Sequence, residues 1–159
     1  PVETVIDLES PVHNDLLIRS ANEEDLSQII ALETKVSGIS RVKDYMYFLS
    51  NPEQGWHISV CEQGGEITGY LCSITHPASN MLGPGIMTNE DMAYHLIIHE
   101  LKRDLERTPV FLVPAESQNL ITRLYEAGAK NCELHFGQVR GAYQAPNGIV
   151  MPTFMPETG

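Results

Sequence analysis

The spacing of hydrophobic residues along the chain predicts an alternation of strands and helices. Short apolar runs and runs of period two are typical of strands, whereas apolar residues at i, i+3, i+4 and i+7 are typical of one helix face. The strand pattern occurs at residues 16–19, 56–62, 67–75, 80–87, 110–114, 132–140 and 148–155. The helix pattern occurs at residues 22–38, 40–50, 89–106 and 117–127.

Local signals at the ends of these segments support the assignment. Gly64 and Gly65 lie between two strand-patterned runs, which is a strong signal for a hairpin turn. Gly38 and Gly128 each follow a helical run, where a helix commonly ends in a left-handed residue. Val110–Val113 is a continuous apolar run, and it predicts a strand that is buried on both faces.

The order β-α-α-β-β-β-α-β-α-β-β predicts an α/β protein of the α+β type, with a mixed, twisted sheet. Because helix 89–106 connects strand 80–87 to strand 110–114, we expect these two strands to be parallel neighbours that diverge. We expect strand 148–155 to return beside strand 132–140 as a hairpin. Residues 1–14 have little periodicity, and they predict an arm or linker before a single domain of residues 15–159.

Composition and charge limit the partners that this chain is expected to bind. The 159 residues carry a formal net charge of −11, so we expect no basic surface for nucleic acid or an anionic membrane. No apolar run approaches the ~20 residues that span a bilayer, and no leader pattern opens the sequence. Cys61, Cys72 and Cys132 have no metal-ligand spacing. We therefore expect free thiols, no metal and a cytoplasmic location.

The segment Leu124–Ala129, with the sequence L-Y-E-A-G-A, resembles the L-Y-E-K-x-G-F signature of the GNAT superfamily of N-acetyltransferases. The opening around Ile18-Arg19 and the pair Gly69-Tyr70 are also similar to family segments, and residues 16–156 follow the GNAT order of elements. The resemblance implies acetyl-CoA as the acyl donor and Tyr125 as the acid that protonates its departing thiolate. The alternative for Tyr125 is structural: an aromatic packed near a helix end, with its hydroxyl at the surface.

The start of the third long helix is where the family resemblance implies a site for the pyrophosphate of acetyl-CoA. The family pattern there is Arg or Gln, two variable residues, Gly, one variable residue, then Gly or Ala. The corresponding residues are 88–93, and only Ala93 agrees. We therefore expect backbone amides, rather than a basic side chain, to hold the phosphates. The expected amides are those of Ile86, Met87, Thr88 and Asn89.

Three polar residues near this helix have more than one interpretation. Glu90 and Asp91 suit the first turn of a helix as capping residues, but their charges would repel phosphate. Gln118 lies where the family commonly has an Asn that contacts coenzyme A. It is interpreted either as a cofactor contact or as a solvated residue of the first helical turn.

A general base for the acceptor amine is the role with the fewest candidates. His76 lies just before the fourth strand and is the side chain nearest to that strand with a suitable pKa range, so it is the predicted base. The alternative is that His76 is a surface residue of a turn. His95 and His99 share a helix face, but no third ligand with suitable spacing follows them.

Two functions are compatible with these patterns. The first is an N-acetyltransferase that moves an acetyl group from acetyl-CoA to an amine, with a small-molecule acceptor and a homodimer as the expected partners. The second is a GNAT-fold domain without catalysis that serves as a binding or regulatory module, or as half of a larger assembly. Retention of Tyr125 favours the first function, and the altered phosphate loop favours the second.

Overall fold

The computed structural model of the chain describes residues 16–51, 54–76, 79–103 and 106–153. The predicted arm of residues 1–14 and the last residues of the predicted strand 148–155 lie outside these ranges. The strands are β1 (Leu16–Ser20), β2 (Trp56–Gln63), β3 (Glu66–His76), β4 (Ser79–Met87) and β5 (Ile149–Met151). The helices are a 3-10 turn (Glu23–Asp25), α1 (Leu26–Ser37), α2 (Val42–Ser50), α3 (Glu90–Arg103) and α4 (Gln118–Glu126).

The five strands form one sheet in the order β1-β2-β3-β4-β5, and each neighbouring pair is antiparallel. A single parallel bridge joins Met81 of β4 to Val110. The predicted α+β class is therefore confirmed, and so is the parallel direction of the chain after α3.

Helices cover both faces of the sheet, because residues of the central strands alternate between two hydrophobic cores. Leu71 packs with the residues of α3 and α4. Its neighbours Tyr70 and Cys72 pack on the other side, with the residues of α1 and α2. This is the alternation expected for a strand that is buried on both faces.

The start of α1 is fixed by short-range polar contacts that the sequence indicates. The Asn22 side chain accepts a hydrogen bond from the Glu24 amide, and the Asp25 carboxylate accepts one from the Asn22 amide. Arg19 of β1 donates to both oxygens of Asp25, so the strand and the helix are joined by an ion pair. Gly38 ends α1 with φ of 73°, as predicted.

The predicted strand 132–140 is wrong. Residues 131–147 form no strand, and Leu134 and Phe136 are 74% and 86% exposed. The last strand pairs instead with β4, where Ile149 lies opposite Met87 and Met151 opposite Gly85. Ile149 and Met151 are buried there, so the β4 edge offers both backbone pairing and apolar contact, which segment 132–140 lacks.

The predicted strand 110–114 is reduced to one residue. The Val110 amide donates to the Asn80 carbonyl, and the Val110 carbonyl accepts from the Leu82 amide. Pro109 and Pro114 flank this segment and have no N–H to donate. Further along β4, strand β5 pairs with this same edge, because β3 pairs with the other edge.

Candidate functional site

A cleft of about 620 Å³ opens at the start of α3. It lies between the first turn of this helix, the adjacent ends of β1 and β2, and the beginning of β5. The lining residues are Leu16, Gln63, Asn89, Glu90, Asp91, Met92, Gly148 and Ile149. This volume is within the usual range for a small-molecule site.

The first turn of α3 is capped by the side chain of Asn89, the residue just before the helix. The Asn89 Oδ1 accepts a hydrogen bond from the Met92 amide at 3.0 Å, which satisfies one of the amides that helix geometry leaves unpaired. The Thr88 amide donates to the Thr68 carbonyl at 3.1 Å. The turn is therefore held rigidly beside the cleft.

The two carboxylates of this turn hold α4 against α3. Glu90 Oε2 accepts from the Leu120 amide in the first turn of α4 at 2.6 Å. Asp91 Oδ1 lies 2.7 Å from the Arg123 guanidinium, which also stacks 3.7 Å above the Tyr94 ring. Glu90 therefore caps a different helix from the one that contains it, and the Asp91 charge is offset by an arginine.

The β4 edge below the cleft is covered. Residues Gly85–Met87 have β3 on one side and β5 on the other. Gly148, immediately before β5, has φ of +147°, and a Cβ there would lie 2.6 Å from the Met87 carbonyl oxygen. Only glycine permits this close approach without displacing the backbone.

The residues predicted to bind the cofactor are placed as follows. Ile86, Met87 and Ala93 are fully buried, and the first two have a strand on both sides. Thr88 and Asn89 are exposed at the cleft end of α3. Gln118 is the exposed first residue of α4, close to the Glu90–Leu120 contact.

The two predicted catalytic residues lie on different parts of the molecule. Tyr125 is 51% exposed on α4, about 8 Å along the helix from Leu120. His76 ends β3 and pairs with Ser79, the first residue of β4, whereas the cleft lies beyond Met87, the last residue. That separation is about 26 Å along β4. The structure therefore brings Thr88, Asn89 and Gln118 to one region, but not His76.

A buried polar cluster on the α1–α2 side was not predicted. The Glu33 side chain is fully buried and accepts hydrogen bonds from the Arg41 guanidinium and the Tyr45 hydroxyl, at 2.7 and 2.6 Å. The hydroxyls of Tyr45 and Tyr70 are also hydrogen-bonded to each other. Burial raises the pKa of both phenols well above the ordinary value, so they are protonated donors.

A second buried carboxylate, Glu100, was also not predicted. Its side chain is 1% exposed and lies 2.9 Å from His57 Nδ1. Ser73 donates to it at 2.6 Å, and Ser59 donates a short hydrogen bond. The sequence contains a signal for both carboxylates: Glu33 and Glu100 are acidic residues among the apolar, buried positions of α1 and α3.

Comparison with known proteins places these features in a family. The Acetyltransferase (GNAT) domain family matches residues 29–145, which is more than half of the chain. No curated protein sequence matches significantly. None of the helices in the described ranges is long and apolar enough to cross a membrane.

Several solved structures are similar to this fold. A probable acetyltransferase from Staphylococcus epidermidis has a TM-score of 0.60 and 16% identity, over 74% of this chain and 85% of its own. The ribosomal-protein-S18-alanine N-acetyltransferase from Escherichia coli has a TM-score of 0.59 and 16% identity, over 86% of this chain and 91% of its own.

A third similar structure is AAC(6′)-Iy in complex with the bisubstrate analog CoA-S-monomethyl-acetylneamine. Its TM-score is 0.56 and its identity 11%, over 82% of this chain and 100% of its own. At these identities the structures show the fold alone. The match over residues 29–145 shows more: the chain belongs to the GNAT acetyltransferase domain family.

Proposed function

We propose that this protein transfers an acetyl group from acetyl-CoA to an amine of a small molecule. The observation that carries the proposal is the cleft at the start of α3, which contains the predicted contact Asn89 and has most of its lining residues within the matched range 29–145. The complex of AAC(6′)-Iy with an analog that contains coenzyme A supports a coenzyme A donor for this fold.

The residues of the cleft fit the phosphate end of such a cofactor. Asn89 is exposed, and its side-chain oxygen accepts from the Met92 amide, so its amide nitrogen is the group that would donate to phosphate. The exposed Thr88 lies beside it, with its hydroxyl 3.0 Å from Met92 Sδ. The repulsion expected from the two carboxylates is reduced, because Glu90 is hydrogen-bonded to the Leu120 amide and Asp91 is paired with Arg123. The covered edge at Gly85–Met87 is the part of the site that does not fit an extended ligand.

The proposed roles follow from the chemistry of the side chains. Acetyl-CoA supplies an activated thioester when it is bound. Asn89 and Gln118 orient the donor through their amides, and the Tyr125 hydroxyl gives its proton to the departing sulfur. Water, rather than His76, takes the proton of the acceptor amine, because His76 lies at the far end of β4.

Calorimetric titration with acetyl-CoA tests the cofactor site, and release of free thiol in the presence of aminoglycosides and other amines tests transfer. We expect micromolar binding and amine-dependent thiol release. Asn89→Asp keeps an acceptor for the Met92 amide but adds a negative charge at the cleft, so it should weaken binding at least about ten-fold with little change in stability. Asn131→Asp, on an exposed segment, is the control for net charge.

A non-catalytic module is the second candidate, and the covered β4 edge favours it. Residues Gly85–Met87 are paired on both sides by the chain itself, so the sheet presents no free edge there. A module of this kind would give no heat with millimolar acetyl-CoA and no thiol release with any amine. Those two results together would reject acetyl transfer.

A further inference from the structure

A serine, a histidine and a glutamate are hydrogen-bonded in series at one end of the sheet. Ser20 Oγ lies 2.9 Å from His57 Nε2, and His57 Nδ1 lies 2.9 Å from Glu100 Oε1. The three residues come from β1, β2 and α3. A nucleophile bonded to a base, which is itself oriented by a third group, is the arrangement that activates a hydroxyl for attack on a carbonyl.

The sheet register explains why these residues meet. Ser20 pairs with Ser59, and His57 pairs with Ser73, so each pair projects from the same face of the sheet. His57 and Ser59 are two residues apart on β2 and therefore share that face. Glu100 of α3 contacts this face through its bonds to His57, Ser59 and Ser73.

The hydrogen bonds of Glu100 determine which nitrogen of His57 carries the proton. Burial alone would raise the pKa of Glu100, but hydrogen bonds from His57, Ser59 and Ser73 outweigh it and lower the pKa to about 2. An ionised carboxylate only accepts, so His57 Nδ1 is the donor. In the neutral imidazole, Nε2 then has a free lone pair that accepts the Ser20 proton.

We propose that Ser20, His57 and Glu100 form a second reactive site, which takes an acyl group from short-chain oxygen esters. Ser20 Oγ attacks the ester carbonyl while its proton moves to His57 Nε2. The bond from the carbonyl carbon to the leaving oxygen breaks, and that oxygen receives the proton from His57. Water then releases the acid from Ser20 by the same proton route, and Glu100 positions His57 throughout.

The site is separate from the cleft at α3. Leu16 lines that cleft, and Ser20 lies four residues further along β1, about 13 Å away. Ser20 is exposed, and β1 is an edge strand among the strands that the structure describes. An ester can therefore approach from solvent. A long acyl chain would stay in water and gain no binding energy, so short-chain esters are the expected substrates.

The backbone beside Ser20 predicts slow turnover. The Ala21 amide donates to the Ile58 carbonyl at 2.8 Å. In serine hydrolases, the amide of the residue after the nucleophile commonly stabilises the oxyanion. Because this amide is already used, we expect an acyl-enzyme that forms slowly and accumulates, rather than rapid hydrolysis.

Mass spectrometry after incubation with p-nitrophenyl acetate tests the proposal. We expect one acetyl group on the peptide that contains Ser20, and its loss in Ser20→Ala. Ser50→Ala, which removes an exposed hydroxyl of α2, is the matched control and should keep the modification. Absence of acetyl on Ser20 in the folded wild-type protein would overturn the proposal.

Three further variants distinguish base catalysis by His57 from the reactivity of a serine that is merely exposed. His57→Gln should slow acetylation of Ser20 at least about ten-fold, and added imidazole should restore part of the rate in His57→Ala. Glu100→Gln keeps an acceptor for His57 but removes the charge, so it should also slow the reaction while melting curves report folding. Equal acetylation of Ser20 in wild type and His57→Gln would show that no site is present.

Discussion

At the scale of single residues, Tyr125 is the side chain whose proposed role is most easily separated from packing. It is 51% exposed, so Tyr125→Phe should leave the melting temperature nearly unchanged, unlike the loss of a buried aromatic. If its hydroxyl protonates the sulfur, kcat should fall roughly ten-fold or more. Steady-state kinetics on any acceptor measures this, with Tyr143→Phe, also exposed, as the control. Unchanged turnover would remove Tyr125 from the mechanism.

The buried acids on apolar helix faces have partners that the sequence pattern does not reveal. Glu33 lies between Leu32 and Val36 in the stripe of α1, where a charged residue is usually placed at the edge. Its partners Arg41 and Tyr70 come from other elements, so the pattern of α1 alone does not reveal them. Asn89, in contrast, was placed correctly at the helix start, because capping depends on neighbours in sequence.

At the scale of elements, the contact between α3 and α4 revises the expected effect of the two acids. Asp91→Asn should release the Arg123 charge beside the cleft and tighten acetyl-CoA binding several-fold. The stability cost should be at most about 1 kcal/mol, since Asp91 and Arg123 are both partly exposed. Calorimetry and thermal melting measure the two effects, with Asp44→Asn in α2 as the control for net charge. Equal affinities in both variants would show that phosphate does not bind near Arg123.

The pairing of β5 with β4 depends on Gly148, which lies against the Met87 carbonyl. Gly148→Ala places a Cβ against the Met87 carbonyl oxygen, so it should loosen β5 and speed amide hydrogen exchange at residues 85–87. Gly141→Ala is the matched control, because Gly141 also has positive φ but no atom lies near its Cβ position. If β5 obstructs the donor, acetyl-CoA should bind more tightly to Gly148→Ala than to Gly141→Ala. Unchanged exchange would mean that β5 does not depend on this glycine.

The elements that the sequence predicts correctly are those that depend on residues close together in the sequence. The hairpin at Gly64-Gly65 and the helix ends depend on turn and cap residues, and the structure contains them. Strand 132–140 was predicted from alternation alone, but a strand also needs a partner edge. The β4 edge is occupied by Val110 and β5, and this competition between distant segments is not visible in the sequence pattern.

At the scale of the whole molecule, the buried acids predict how stability depends on pH. The pKa of Glu100 is lowered from 4.5 to about 2, because the hydrogen bonds that it accepts from His57, Ser59 and Ser73 outweigh the effect of burial. Below pH 4.5 the unfolded chain therefore binds a proton at this position more readily than the folded chain. The stabilisation is fully present above pH 4.5 and is lost as the pH falls towards 2.

For Glu100, this loss is about 3 kcal/mol of the free energy of unfolding. Asp25 contributes in the same direction, because the hydrogen bond that it accepts from Arg19 lowers its pKa. Urea unfolding at several pH values between 7 and 2.5 should show the decline. Glu100→Gln cannot ionise, so its stability should be lower than wild type near neutral pH but should fall less on acidification. Glu116→Gln, at an exposed position, should follow the wild-type profile. Parallel pH profiles for wild type and Glu100→Gln would show that Glu100 is not held as a stabilised carboxylate in the folded protein.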